Sequence, residues 1–251
     1  MVSGCPIQGT WSNMTALQQP TTLKWDAETL SRFWAYYSQF PELYFSHQKG
    51  RDVVEFVRHL IPEGAGVLDY GCGPGHLLPH LLDAGFIVKG ADIALETIGS
   101  AVNVQGRKNF MGFDTVSGLL QKDEKFDVVF LLEVVEHLDD HWLEVTLTQA
   151  RRLLKQGGLL VVTTPNEERL EDNIVYCPVA NVTFHRWQHM RSWTAATLRD
   201  ALASRGFRNV NVQTRNFTSA GPRHVSPARY FLSKFLSRLQ KPQSIVATAR
   251  G

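Results

Sequence analysis

Several things that would place a protein in a class at once are scarce or missing here. Cysteine is rare: among 251 residues only Cys5, Cys72 and Cys177 occur. An odd number without framework spacing argues against a disulfide scaffold and fits a reducing compartment. Net charge is nearly absent, because 26 Lys and Arg stand against 24 Asp and Glu and leave +2. That balance argues against a protein that grips nucleic acid mainly by electrostatics. No apolar run is long enough to span a bilayer, and the first residues lack the basic-then-apolar order of a secretory leader. The expectation is a cytoplasmic protein. What remains, 43% hydrophobic and 20% charged residues, is the composition of an ordinary globular chain.

Residues 1–25 are rich in Gln, Thr, Ser and Pro and read as a poorly ordered N-terminus, leaving 26–251 as a single domain. "DAETLSRFWAYYSQF" has helical spacing with Asp26 as its N-cap, and "GRDVVEFVRHLI" reads as a second helix ended by Pro62 and Gly64. Strands and helices then alternate. The strands are "GVLDY", "FIVKGAD", "NFMGFD", "FDVVFLL", "LLVVTTP", "FRNVNVQTRN" and "QSIVATAR". The intervening helices are "GHLLPHLLDAG", "ALETIGSAV", "HWLEVTLTQARRLLKQGG" and "TAATLRDALASRG". This is the pattern of an α/β fold, a mostly parallel seven-stranded sheet with helices on both faces. Two connections, 166–193 and 217–243, exceed the usual length of roughly 2–6 residues. Long insertions on a regular sheet usually carry function.

"VLDYGCGPGHL" is the strongest local signal. Asp69 ends a strand, Gly71, Gly73 and Gly75 follow, and a helix comes next. Glycines allow a tight turn and close approach of backbone to a ligand. The spacing is G-x-G-x-G rather than the dinucleotide G-x-G-x-x-G, and a carboxylate just ahead of it would repel a pyrophosphate. It favours a ligand with an ammonium group. Asp92 ends the second strand, where two ribose hydroxyls would be accepted, and Asp114 ends the third, where an adenine amino group would be met.

From about Gln48 onward these motifs resemble the class I S-adenosylmethionine-dependent methyltransferases, which have a Rossmann-like, doubly wound sheet. The resemblance implies that the loop from Asp69 through Gly71, Cys72 and Gly73 to Gly75 cradles the methionine part of the cofactor. It also implies that Asp92, with Ile93 beside it, holds the ribose, and that Phe113 and Asp114 border the adenine. Residues 26–60 would form an N-terminal helical lid, with Tyr44 and Gln48 touching the cofactor.

"LLEVVEHLDDHW" carries the second signal. Glu133, Glu136 and His137 follow the fourth strand, at positions i, i+3 and i+4 that share one helical face. Ligands of open parallel sheets bind at the C-terminal strand ends. Two carboxylates packed there repel unless a proton or cation intervenes. Carboxylate and imidazole donors suit Mg²⁺ or Mn²⁺, and zinc less well. His141, His185 and His189 are available as further ligands. "EVVEHL" is similar to a motif of ubiquinone-pathway O-methyltransferases and of small-RNA 2′-O-methyltransferases, and the resemblance implies Glu133 at the cofactor as well as at a metal. In the RNA group the distant metal-binding histidine precedes a Trp-Thr pair, which maps onto His189, Trp193 and Thr194. An acidic residue usual before that histidine is replaced by Gln188, which weakens RNA as substrate. The bland alternative is a metal-free polar cluster in which His137 or His189, with Glu136, handles the acceptor's proton.

In the first insertion, Phe184, Trp187 and Arg191 are candidates to wall an acceptor pocket; Ala180 stands where a C-P-x-C pair after Cys177 would need its second thiol. Residues 223–241 join Tyr230, Phe231, Phe235 and Leu236 to several basic side chains, a pattern suited to covering the sheet or to peripheral membrane contact. The function expected is O-methylation of a small molecule, lipid or glycan by S-adenosylmethionine, with divalent-metal assistance. The alternatives are a ribose methyltransferase acting on RNA and a cofactor-binding partner subunit without catalysis.

Overall fold

A computed structural model describes residues 19–92, 104–217 and 241–251. In chain order the strands and α-helices begin with β1 (Thr21–Thr22), α1 (Ala27–Tyr37), α2 (Phe45–Val57), β2 (Gly66–Tyr70), α3 (Leu78–Asp83) and β3 (Ile87–Asp92). Then come β4 (Phe110–Thr115), α4 (Val116–Gln121), β5 (Phe126–Leu132), α5 (Asp140–Leu153) and β6 (Leu154–Pro165). The remainder is β7 (Ile174–Cys177), β8 (Val182–His185), α6 (Ala195–Ser204), β9 (Arg208–Arg215) and β10 (Ser244–Arg250).

The continuous apolar runs in the central strands are explained by burial on both faces. Successive strand residues point to opposite sides. Thus Leu68, Val129, Leu131, Leu160 and Val162 enter one core, with α5 and α6, while Val67, Val128, Phe130, Leu159 and Val161 enter the other, with α2 and α3. On α5 the buried Leu143, Leu147, Ala150 and Leu153 recur at helical spacing, and Asp139 caps the helix through Trp142 N at 2.7 Å. Each fully buried Leu or Val side chain contributes about 1.5–3 kcal/mol.

These layers enclose a seven-stranded sheet of order β4-β3-β2-β5-β6-β10-β9. The first five strands run parallel, and β10 is antiparallel to both β6 and β9. The chain runs outward from β2 through β3 to β4, then returns to place β5 on the other side of β2. The loops after β2 and β5 therefore meet at the switch point, where open α/β sheets bind ligands.

A second, three-stranded sheet of order β1-β8-β7 lies in the first long insertion. Thr21 and Thr22 pair with Val182 and Thr183, so the last part of the stretch expected to be poorly ordered belongs to the fold. The insertion is closed at its base by a bridge between Asn166 and Trp193. Asp26 caps α1 by accepting from Thr29 N at 2.8 Å, yet α1 has no buried residue. By contrast α2 buries Val53, Val54 and Val57. Within the 26–60 segment expected as a lid, the second half therefore packs into the core, while α1 lies on the surface. The helix α3 is shorter than expected, because the glycine turn consumes its first residues and Pro79 sits in its first turn. Among the described residues no helix is long and apolar enough to cross a membrane. The helix expected at 94–102, Ile93 and 223–240 fall outside the described residues.

Candidate active site

The loop after β2 is made of backbone. Gly71, Gly73 and Gly75 have φ of +77, +47 and +85°, a region that favours glycine. A Cβ on Gly71 would stand 2.8 Å from Cγ2 of Val134, so the missing side chain lets this loop touch the one after β5. The N–H groups of Gly71 and Cys72 both donate to Ala91 O, at 2.8 and 3.1 Å, and Gly73 N donates to Asp92 Oδ2 at 2.8 Å. Asp92 is in this way stitched to the loop it faces. Asp69 is 3% exposed, and burial, then the charge of Asp92, pushes its carboxyl up to about 7. An ammonium group would relieve that setting, so the residues fit the methionine end of the expected cofactor.

Other expected cofactor contacts divide. Phe113 leans on β3: a Cβ on Gly90 would lie 2.7 Å from its ring and 3.1 Å from Cys72 Sγ. Tyr44 feels the charge of Asp92, which with burial as the larger cause pushes its phenol up to about 12. Asp114 is held by Lys122 at 2.5 Å and by Thr115 N at 2.8 Å, at the start of α4. Gln48 departs from expectation: it is exposed, and its amide donates to Glu42 O at 2.6 Å, because it lies on the outer face of α2. His76 was not anticipated. It follows the third glycine, is 5% exposed, stands 5.0 Å from the Tyr44 ring, and has an Nε2 without a hydrogen-bond partner among the described residues. Burial, then His47 and His80, pushes it down to about 4.

The loop after β5 is made of side chains. Glu133 has φ +52°, an unusual conformation for a residue with a Cβ and one that concentrates at functional sites. The turn is held by Glu133 N on Thr163 O at 3.1 Å and by Thr163 Oγ1 on Glu133 Oε1 at 2.8 Å. Next along β6, Thr164 Oγ1 donates to Glu136 Oε2 at 2.9 Å. Glu136 is 1% exposed, and its Oε1 has no hydrogen-bond partner among the described residues. The insertion docks here through Met190 N on Glu136 O at 2.8 Å and Gln188 Nε2 on His137 O at 3.1 Å. As a result one ligand atom each from Glu136, His137 and His189 lies within 4.8 Å of the others. Glu133 stays outside that group of three, with one oxygen committed to Thr163. His141 is exposed on α5 beside Trp142 and does not join it.

Burial, then the neighbouring Glu133, pushes the Glu136 carboxyl well up. Burial, then His189, pushes His137 down to about 3. Carboxylates starved of positive charge, beside a His137 ring pushed toward its neutral form, fit a divalent cation.

Behind His189 lies a second layer that sequence reasoning had only partly reached. His189 Nδ1 is 2.5 Å from Glu168 Oε2, and the His185 ring stacks on His189 at 4.7 Å. Glu168, His185 and His189 also bring ligand atoms within 4.8 Å of one another. The aromatic side chains considered as pocket walls instead join the insertion to the N-terminal segment: Phe184 meets Trp25 at 6.0 Å and Trp187 meets Tyr37 at 5.5 Å. Arg191 donates to Leu138 O at 2.7 Å. Trp34 of α1 stands edge-on to His137 at 5.1 Å.

Comparison with known proteins gives a match to a methyltransferase domain over residues 44–212. A ubiquinone biosynthesis O-methyltransferase of Rhizobium johnstonii is 37% identical over 108 residues, 41% of this chain and 42% of that protein. The matched region thus spans less than half the length of such curated relatives. A Burkholderia thailandensis 1,6-didemethyltoxoflavin-N1-methyltransferase, solved with its substrate and S-adenosylhomocysteine, superposes with a TM-score of 0.62 at 16% identity, covering 95% of this chain and 97% of that one. An Archaeoglobus fulgidus SAM-dependent methyltransferase gives a TM-score of 0.51 at 22% identity, covering 80% and 94%. These structural likenesses concern the fold.

Proposed function

The chain belongs to the methyltransferase domain family, and on that premise we propose that it moves the methyl group of S-adenosylmethionine to a hydroxyl oxygen of a small organic acceptor, with a divalent cation beside the methyl. One observation carries the reading. A buried carboxylate, Glu136, with an oxygen unpartnered among the described residues, lies within 4.8 Å of two imidazoles, and its loop touches the glycine loop at Gly71 and Val134.

In this reading Asp69 receives the ammonium group of the cofactor and Asp92 its ribose, while Phe113 and Tyr44 flank it. Fixing the sulfonium there lets the acceptor oxygen be aligned with the methyl, and such alignment can supply a large part of the rate gain of a two-reactant transfer. Glu136, His137 and His189 would hold the cation, Mg²⁺ or Mn²⁺ before zinc by their donor chemistry. Bound there, it supplies a Lewis acid that lowers the hydroxyl pKa and orients the oxygen. Trp34 and the insertion around Trp187 shield that face from water. The ubiquinone-biosynthesis relatives, named as O-methyltransferases, support oxygen over nitrogen as acceptor; lipid and glycan hydroxyls belong to the same chemical class.

The test is incubation of the protein with labelled S-adenosylmethionine and a metabolite extract. A methyl-labelled hydroxyl compound is expected, lost on chelation and restored by Mg²⁺ or Mn²⁺. Full activity after rigorous chelation removes the cation. A protein that ignores S-adenosylmethionine and S-adenosylhomocysteine removes the whole reading.

A further inference from the structure

The trio Glu168, His185 and His189 invites a second cation site, but the hydrogen bonds around His185 oppose it. Its Nδ1 lies 3.1 Å from His189 N and 3.3 Å from Trp187 N, both donors. A nitrogen that accepts two N–H groups carries the lone pair, so in the neutral ring the proton sits on Nε2. A protonated nitrogen cannot ligate a metal. That Nε2 is buried, has no close hydrogen bond among the described residues, and stands 3.4 Å from Glu168 Oε1.

Glu168 is therefore surrounded by donors. Asn173 Nδ2 donates to Oε1 at 3.0 Å, where His185 Nε2 also points, and Oε2 meets His189 Nδ1 at 2.5 Å. A carboxylate in that setting accepts, so the His189 proton belongs on Nδ1. The nitrogen left with a lone pair is Nε2, the one available to the Glu136 and His137 side.

We propose that Glu168 is a positioning residue: with His185 and Asn173 bracing it, it fixes the tautomer and tilt of His189 so that Nε2 presents its lone pair to the cation shared with Glu136 and His137. Metal-binding imidazoles commonly give their other N–H to a carboxylate, which orients the ring and raises its basicity. The inference rests on the cation reading above, and it adds that the stem of the insertion just after β6, not only the loop after β5, tunes the site. It also gives the 185–189 turn a reason for its shape, since the same His185 nitrogen that receives the His189 backbone N–H braces the stacked ring.

The test uses full-length protein with isotope-labelled histidine. Long-range proton–nitrogen correlations at neutral pH report which ring nitrogen carries the proton, and the His189 signals are assigned by their loss in His189→Asn. The expected wild-type result is a His189 protonated on Nδ1. In Glu168→Ala that preference is lost and Mn²⁺ affinity falls by about 10–100-fold, with S-adenosylhomocysteine affinity unchanged. Glu168→Gln, which keeps an acceptor oxygen, should fall between. A wild-type His189 protonated on Nε2 overturns the proposal, and so does Glu168→Ala with wild-type tautomer and wild-type Mn²⁺ affinity. The wild-type tautomer needs no variant, so a misfolded Glu168→Ala does not rescue the idea. A wild-type protein that binds no Mn²⁺ removes the cation reading; the tautomer of His189 alone then upholds or overturns the role of Glu168.

Discussion

The loop after β2 and the loop after β5 sit side by side at one end of the same sheet, but they are built from different parts of the chain. The first is stitched to its own neighbouring strand: Gly71 and Cys72 donate to Ala91, and Gly73 donates to Asp92. The second is held from far along the sequence. Thr163 and Thr164 fix its two carboxylates, and Gln188 and Met190 clamp its backbone. On the proposed function, the difference teaches that local backbone geometry suffices for a cofactor seat, whereas a reactive face needs long-range side-chain partners. It follows that the two loops should fail separately.

The largest effect that tests this separation is Glu136→Ala. Methyl transfer should fall by about 10²–10⁴-fold, because the variant removes the buried oxygen that no described residue satisfies. Cofactor affinity, measured by calorimetry, should stay within about twofold, since the glycine loop keeps its own bonds. A parallel loss of cofactor binding would show that the loops act as one unit.

The converse is Asp69→Asn. Removing a charged acceptor of the ammonium group should weaken S-adenosylhomocysteine binding by about 10–100-fold, from the ~1.5–3 kcal/mol of a charge-assisted hydrogen bond. The same change should stabilise the free protein at alkaline pH. Folded Asp69 titrates near 7 against an ordinary value of 3.8, so the folded state holds its proton where the unfolded state has released it. The stability this group contributes is present at acid pH and is lost as pH rises from about 4 through 7. Asn has no such loss, and at pH 8 the free variant should melt above wild type, by an amount on the order of 1–4 kcal/mol. Equal melting curves at both ends of that window would contradict the buried, uncompensated carboxylate.

How much of this could be read from the sequence follows the same division. The glycine triplet with Asp69 and Asp92 was legible because strand ends and turn residues are local signals. Glu136 and His137 were legible for the same reason, whereas His189 was singled out from His141 and His185 only by the family resemblance that maps it with Trp193 and Thr194. The partners were not. Thr163 and Thr164 read as strand residues, although two hydroxyls closing an apolar run were a clue. Glu168 carries no local signal that sets it apart, and only the fold closes Asn173, His185 and His189 around it. The small sheet escaped notice because β7 alternates only between exposed and half-buried positions and β1 pairs with residues far along the chain. The lid expectation over α2 came from the family resemblance by position, and periodicity could not refine it, since it marks an apolar face without saying what covers it.

A smaller effect probes the close approach of Gly71 to Val134 between the loops. Gly71→Ala places a Cβ at φ +77° and 2.8 Å from Val134 Cγ2. Strain and overlap together should cost about 1–3 kcal/mol, seen as a lower melting temperature. Val134→Ala in the same chain should restore part of it by removing the methyl that clashes. No restoration would mean that backbone strain alone, rather than contact between the loops, makes glycine necessary there.

The smallest expected effect lies where the side-chain half of the site meets α1. That helix has no buried residue, so its hold on the domain rests on edge contacts such as Trp34 on His137 at 5.1 Å. An aromatic pair of this kind is worth about 0.5–1.5 kcal/mol. Trp34→Ala should therefore leave the melting temperature nearly unchanged and raise the KM for the acceptor by about two- to tenfold, which is the same energy expressed as affinity. Cofactor affinity should respond less than the acceptor KM, because Trp34 meets His137 at 5.1 Å and reaches the cofactor side only through the Tyr44 ring at 6.4 Å. A fall in thermal stability like that of a core Leu→Ala substitution, about 2–5 kcal/mol, would make α1 part of the scaffold. An unchanged KM with unchanged stability would mean that the acceptor enters from another side, and that the aromatic cluster between α1 and the insertion serves only to keep the histidines dry.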